Sequence, residues 1–423
     1  MIAVVGALDT KADEFTFLIR EISSLGHEQV IIDFGPFSTA GPDVRALGAR
    51  YIGPDEVADA AGTRLTDLVE RHDRSETLGA MSVGVGNLLV LLADQLDGVV
   101  GAGGSGATSV VTKAMRRVNF KCPLVIVSTL ASVDIGRYID GLACAVINPV
   151  VDVSGLNSIT RFVLASAAAS VCAMTGRTGA VLSAGQSRTA ISMFGITTPG
   201  VDTARATLEK AGLEVFTFHA NDKGGISLEM LIGGGVVTSV LDMTTTEMAD
   251  AVVGGCLPAA GHRFTTAGRL GLPQVVSLGA LDAVNFGSVE SIPVQFRGRR
   301  LLQHTPDVTL MRTTPAECHL IGRELMRRLN ESSGPVTLVL PHGGLSTLSV
   351  AGGPFHDPEA DEALIQAVVA AANPSVELIH VHGSVNDPAV AELMANSLLN
   401  HIHAQHQNKI HDQHTHKKCE ESR

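Results

Sequence analysis

A chain of 423 residues is long enough for two or three domains. Hydrophobic residues make up 45%, so large cores are available, whereas aromatics are only 4% and Trp is absent. The formal net charge of −12, with no basic patch and no stripe of aromatic and basic residues, argues against nucleic acid as a direct ligand. The 44 glycines suit helices packed on parallel sheets through glycine-rich βα loops.

Met1 leads directly into the apolar run Ile2–Gly6, with no charged leader or apolar signal core, so a cytoplasmic location is expected. The loop Ala7-Leu8-Asp9-Thr10-Lys11 follows, and Thr10 or Asp9 can cap a helix through Phe15, Leu18, Ile19 and Ile22. Val30–Asp33 is the next strand. Ligands of α/β folds bind at the carboxyl ends of strands, which makes Asp9, Thr10 and Lys11 site candidates. Gly53–Arg74 is polar, with one or two short helices, and Leu78–Leu96 reads as an apolar helix that can break at Gly84 or Gly86.

Val99–Val100 then enters the loop Gly101-Ala102-Gly103-Gly104-Ser105-Gly106, followed by a segment with Ala107, Val110, Val111 and Ala114 at helical spacing. Strand, glycine loop and helix is the arrangement that binds phosphate, because backbone N–H groups and the helix N-terminus approach the anion. Gly101, Gly103 and Gly106 read G-x-G-x-x-G, but the next strand, Leu124–Val127, ends in Ser128-Thr129 without the carboxylate a dinucleotide ribose needs. Gly101 and Gly106 also read G-x-x-x-x-G, but Ala107-Thr108 stands where a P-loop has Lys-Ser/Thr. What survives is a backbone anion site at Gly103, Gly104, Ser105 and Gly106, with hydroxyls on Ser105, Thr108 and Ser109. Further strands at Pro123–Val127 and Ala143–Ile147 and a helix at Asn157–Thr175 complete a first domain, 1–178.

Gly176–Thr189 is small, polar and linker-like, and the βα rhythm then restarts in a second domain, 179–400. Strands are expected at Ala190–Phe194, Val215–Phe218, Val236–Leu241, Val275–Ser277, Val336–Leu340 and Val376–Val381. Helices are expected from Pro199 to Gly212, after Gly225, at Leu364–Ala372 and at Pro388–Asn400. His219, Lys223, Gly224 and Gly225 lie between a strand and a helix. The two glycines and the lysine could hold a carboxylate or phosphate, with Glu229 on the following helix, and His219 could act as a general base. Asp242, Asp282 and Asp387 fall at strand ends. Carboxylates so placed suit Mg²⁺ held with phosphate oxygens, and caps or turns explain each one singly. The tail 401–423 carries six histidines among polar residues and is expected to be disordered, with adventitious affinity for transition metals. The longest apolar helix expected here, Phe162–Thr175, is too short to span a bilayer. Six scattered Cys without C-x-x-C read as reduced, mostly buried thiols.

The overall expectation is an α/β protein of two Rossmann-like domains with mainly parallel sheets. Seven ordered blocks, among them Gly6–Lys11, Gly103–Thr108, Met193–Pro199, Phe218–Glu229, Ser277–Gly287, Gly353–Asp361 and Asn386–Pro388, resemble the family of the ATP-binding N-terminal region of the tomato mosaic virus resistance protein. The resemblance spans roughly residues 1–400. It implies ATP binding, a two-domain α/β architecture with a Rossmann-like N-terminal half, and a homodimer. Three activities fit the residues. One is an ATP-dependent kinase- or ligase-like enzyme for a carboxylate or hydroxy acid, using His219, Lys223, Asp242 and Asp282. The others are a nucleotide-binding module without turnover, and a lyase or isomerase for a phosphorylated substrate.

Overall fold

The computed structural model describes residues 1–176 and 187–420, the side chains of Pro42 and of residues 408–420 excepted. Two compact units divide the chain, Met1–Ala184 and Gly185–Arg423. The linker read at Gly176–Thr189 falls mostly on residues 177–186, outside the described residues.

The first unit contains β1 (Ile2–Gly6), β2 (Gln29–Asp33), β3 (Arg50–Ile52), β4 (Gly98–Gly103), β5 (Leu124–Ser128) and β6 (Cys144–Ile147). They form one parallel sheet in the order β3-β2-β1-β4-β5-β6. This is the doubly wound order of dinucleotide-binding folds, with its switch point between β1 and β4. The central strands β1, β2, β4 and β5 are buried along their whole length, as continuous apolar runs in parallel sheets are. Two apolar clusters cover the faces, one around Val5, Ile32, Met81 and Val111, the other around Val4, Phe15, Leu18 and Leu164.

Short β3 was not read from sequence, because three residues with an exposed Arg50 carry no apolar run. The helix expected to break at Gly84 or Gly86 runs unbroken from Arg74 to Leu91. Gly84 is there for close approach: a β-carbon on it would lie 1.9 Å from the Val57 carbonyl oxygen.

The second unit contains β7 (Arg188–Met193), β8 (Glu214–His219), β9 (Ser239–Asp242), β10 (Gln274–Ser277), β11 (Ala283–Phe286), β12 (Leu301–Thr305), β13 (Val308–Arg312), β14 (Val336–Pro341) and β15 (Val376–Val381). Its parallel sheet has the order β15-β14-β10-β9-β7-β8, so the switch point lies between β7 and β9. Strands β11, β13 and β12 form a small antiparallel sheet that the sequence reading did not assign.

The expected disordered tail is corrected at its start. The last helix runs Pro388–Glu420, past the expected end at Asn400. Ile402 lies four residues beyond Leu398 and extends the buried stripe of Val390, Ala391, Met394 and Leu398. The His401 imidazole hydrogen-bonds Thr337 (Nε2···Oγ1 2.7 Å), and Gln405 donates to the Gly271 carbonyl (2.8 Å). Residues 401–407 are therefore part of the packed unit. Cys122, Cys172 and Cys318 are buried, Cys144 is half-buried and Cys256 is exposed. Among the described residues, no helix is long and apolar enough to cross a membrane.

Candidate functional site

The loops after β1 and β4 meet at the switch point of the first sheet. They line a cavity of about 660 Å³. Asp9, Thr10 and Lys11 come from the first turn of the helix Leu8–Ser24, whose N-cap is Ala7 and not Thr10 or Asp9 as expected, and Gly104, Ser105 and Gly106 from the start of the helix after β4. The two candidate sets that sequence suggested separately are thus brought together.

The helix Ser105–Met115 begins at Gly104, which is extended and provides no side-chain cap. The N–H groups of its first turn have no intrahelical partner and form an electropositive end. Gly103 makes the turn at φ +148°, and a β-carbon there would lie 2.6 Å from the Ala107 β-carbon. Lys11 is half-buried at a kink (φ −141°, ψ 36°), and its Nζ donates to the Val153 carbonyl. Thr10 is exposed, and Thr108 does not face the cavity. The Thr108 hydroxyl is buried between the Gly104 carbonyl (2.9 Å) and Ser128 Oγ (2.7 Å). It therefore holds the loop to β5 and is removed from the anion donors.

Other lining residues come from the polar stretch expected to carry one or two short helices, which holds two, Pro54–Ala60 and Leu65–Glu70, and from the start of the helix Arg74–Leu91. Leu68, Val69, His72, Asp73, Arg74 and Leu78 form the facing wall, with Phe37 and Asp152 at other points of the lining. Asp73 caps the helix Arg74–Leu91 by accepting from Ser75 N (2.8 Å) and Glu76 N (3.0 Å). A capping carboxylate with Glu three residues on, before an apolar run, was a signal in the sequence that could have placed this helix start. Arg74 is exposed and makes no hydrogen bond or ion pair among the described residues. Asp33, at the end of β2, was also missed as a site-shaping residue. Its buried carboxylate accepts from Leu8 N (3.0 Å), Gly35 N (2.9 Å) and Tyr51 Oη (2.8 Å), so it braces the β1 and β2 loops. Burial raises its pKa above the usual carboxylate value in spite of these bonds.

In the second unit the candidates separate. His219 is exposed, its ring stacked on Phe194 at 5.0 Å, and partial desolvation lowers its pKa. Lys223 is exposed in the first turn of the helix Asp222–Gly233, which starts ahead of the expected position after Gly225. The anion loop expected at Gly224 and Gly225 is corrected, because both N–H groups are already used. Gly224 N donates to Asn221 Oδ1 (2.7 Å) and Gly225 N to the Asn221 carbonyl (2.8 Å).

Glu229 and Asp242 lie in the interior around Arg263, which is itself fully buried. Arg263 donates to both Asp242 oxygens, including Nη1 to Oδ2 at 2.9 Å, and through Nε to Glu247 Oε2 at 2.8 Å. Glu229 is 3.5 Å from Nη1 and accepts from Phe264 N (2.8 Å). Burial raises the Glu247 carboxyl to about 7, against the opposing pull of Arg263. Asp282 is fully buried and accepts from Ser346 Oγ (2.6 Å), with desolvation raising its pKa. Asp387 Oδ2 accepts from Ser384 N (2.8 Å), a turn contact. Asp242, Asp282 and Asp387 do not converge on one cation, and no group of three His, Cys, Asp or Glu among the described residues is arranged to hold one.

Two family models match the chain. Residues 1–179 match the N-terminal domain and residues 186–402 the C-terminal domain of the uncharacterised protein family UPF0261. The chain belongs to the UPF0261 family. A UPF0261 protein of Rhizobium meliloti (strain 1021) is 40% identical over 396 residues, covering 92% of this chain and 96% of the relative. One from Clostridium tetani is 37% identical, covering 94% and 98%. The tomato (Solanum lycopersicum) ToMV resistance protein Tm-1(GCR237) is 33% identical over 93% of this chain, which matches 55% of that longer protein. The family link to Tm-1 expected from the seven sequence blocks therefore holds. The glycosyltransferase SnogD from Streptomyces nogalater aligns with 94% of this UPF0261 chain and 98% of its own, at 12% identity and a TM-score of 0.26, too weak a likeness to carry an argument.

Proposed function

We propose that the chain binds ATP, as its complex with a divalent cation, in the first-unit cavity at the β1/β4 switch point. The observation that carries this reading is the meeting of an uncapped helix start at Ser105 with Lys11 and Arg74 around one cavity. N–H donors and two cations there suit phosphate oxygens. Phe37, Leu68 and Leu78 offer an apolar wall for a base, and about 660 Å³ is within the range of small-ligand sites. Asp9, Asp73 and Asp152 line the same cavity and outnumber its two cations. A bare polyphosphate would be repelled by these carboxylates, whereas Mg²⁺ bridging carboxylate and phosphate removes the conflict. ATP in particular is what the Tm-1 resemblance implies.

The residues favour binding over a kinase- or ligase-like turnover. Asp242 and Asp282, assigned to catalysis by their position in sequence, are committed to interior contacts. The test is a calorimetric titration of the full chain with ATP, with and without Mg²⁺. Micromolar binding that needs Mg²⁺ is expected. Absence of heat under both conditions would overturn the reading.

A further inference from the structure

Phe37 lines the first-unit cavity and is 70% exposed, whereas Phe34, three residues earlier, is buried. The turn that carries Phe37 is fixed. Pro36 and Phe37 are its central residues, and Ser38 N closes it by donating to the Gly35 carbonyl (3.0 Å). Proline suits the second position of such a turn because its φ is already set. At the root of the turn, Phe34 N donates to the Gly6 carbonyl (2.9 Å) and Gly35 N to Asp33 Oδ1 (2.9 Å). Phe37 N itself donates to Asp9 Oδ2 (3.4 Å). A β-carbon on Gly35 would lie 2.6 Å from Asp9 Cγ, so the turn is pressed against the start of the helix Leu8–Ser24. Backbone bonds thus hold an apolar ring on the cavity wall with most of its surface in water.

The ring and the phosphate donors lie on different strands. Phe37 follows β2, the helix start at Ser105 follows β4, and β1 stands between them in the sheet. Neighbouring strands are about 4.8 Å apart, so the two ends of the cavity are separated by about 10 Å at the level of the sheet. Lys11 and Arg74 belong to the β4 end. A β-carbon on Gly103 would lie 3.9 Å from Lys11 Cε, and one on Gly106 would lie 3.6 Å from Arg74 Nη2. One end therefore offers N–H groups and cations, and the other an aromatic face. A nucleotide has the same polarity, with phosphates at one end and a flat base at the other.

We propose that Phe37 stacks on the base and makes this site select a purine nucleotide over a bare polyphosphate. This role rests on the nucleotide reading of the cavity, and it assigns the selectivity to the β2 end. Stacking on an aromatic side chain is worth about 5- to 150-fold in affinity per base. It grows with ring overlap, so a purine gains more than a pyrimidine. A ring displayed on a rigid turn also has little freedom left to lose when the ligand arrives.

The test is calorimetry on the full chain with Mg²⁺ present, using ATP, UTP and inorganic tripolyphosphate as ligands. The unsubstituted chain is expected to bind ATP more tightly than UTP, and UTP more tightly than tripolyphosphate. Phe37→Ala is expected to bring ATP down by about tenfold or more, to the level of tripolyphosphate, and to leave tripolyphosphate itself unchanged. The chain has no tryptophan, so Phe37→Trp adds a single fluorophore at this position. Its emission is expected to be quenched by ATP and not by tripolyphosphate, with ATP affinity retained. Equal affinity for ATP and tripolyphosphate in the unsubstituted chain, or full ATP affinity in Phe37→Ala, would overturn the role of Phe37 while leaving the anion site in place. Loss of both ligands in Phe37→Ala would overturn it too, since the ring would then support the loop and not the base. Failure of the unsubstituted chain to bind any of the three would overturn the nucleotide reading, and the role of Phe37 with it.

Discussion

Gly225 and Glu247 occupy each other's space. A β-carbon on Gly225 would lie 2.0 Å from Glu247 Oε1 and 3.2 Å from Arg263 Cδ. The Glu247 carboxyl cannot swing aside, because it is fully buried and its other oxygen is bonded to Arg263 Nε. Gly225→Ala is therefore expected to destabilise the second unit by about 3 kcal/mol, the upper part of the overpacking range. Gly261→Ala, where nothing lies within 4 Å, should change stability by less than about 0.5 kcal/mol. Urea unfolding of the two variants checks this, and equal midpoints would refute the packing argument.

The same carboxyl sets a pH dependence. Glu247 titrates near 4.5 when unfolded and is raised to about 7 by burial in the folded chain. Between these values the folded state keeps a proton that the unfolded state has lost, so stability falls as pH rises. Burial raises Asp250 to about 7 and Asp361 to about 6, which acts in the same direction. The urea midpoint is expected to drop from pH 5 to pH 7. Glu247→Gln should make that drop shallower, and parallel pH profiles for the two proteins would count against this assignment.

In the first unit the Tyr51 hydroxyl donates to Asp33 (2.8 Å), and Asp33 also holds Leu8 N and Gly35 N. Tyr51→Phe removes one donor of three and is expected to cost about 1–2 kcal/mol. Asp33→Ala strands two buried N–H groups and should cost about 3 kcal/mol. Thermal unfolding ranks the two, and a costlier Tyr51→Phe would show that the backbone bonds are not what Asp33 secures.

The strands were legible where burial on both faces made unbroken apolar runs, as in Ile2–Gly6 and Leu124–Val127. The helix start at Ser158 was legible through its cap, Asn157, which accepts from Ile159 N and Thr160 N. The antiparallel strands β11–β13 were not legible, since Leu301–Thr305 is half-buried to exposed and mixes Gln and His with Leu. At the candidate site, Lys11 and Gly104 could be read because both follow strand ends. Arg74 could not, because it reaches the cavity from a helix start that is distant in sequence. Asp242 and Asp282 stand where strand-end logic puts ligand-binding carboxylates. Arg263, more than twenty residues from Asp242, turns that position into an internal ion pair, which no local pattern announces.

Gly104 offers a direct probe of the anion reading. Its backbone is extended (φ −83°, ψ −164°), and an added β-carbon would lie no closer than 3.8 Å to Thr129 Oγ1. Aspartate therefore fits, and its carboxylate can cap the helix start that now lacks one. Gly104→Asp is expected to leave stability unchanged or raise it by up to about 1 kcal/mol. The carboxylate would occupy the place of the phosphate, so ATP binding should fall below detection by calorimetry. Unchanged binding in the folded variant would move the nucleotide elsewhere.

Arg74 separates binding from folding most cleanly. Its guanidinium has no partner among the described residues, and a β-carbon on Gly106 would lie 3.6 Å from Nη2, which puts the charge beside the helix start. Removing it breaks no hydrogen bond or ion pair among the described residues, so Arg74→Ala should shift the melting temperature by little. The loss falls on the ligand. A charge-assisted bond to phosphate contributes about 1.5–3 kcal/mol, so ATP affinity should drop roughly 10- to 100-fold. Arg74→Lys keeps the charge but not the two-pronged geometry, and it should recover only part of that loss. The salt dependence of binding should also weaken in Arg74→Ala, because one fewer cation meets the phosphates. Full affinity in Arg74→Ala would leave the helix start and Lys11 as the whole of the anion site.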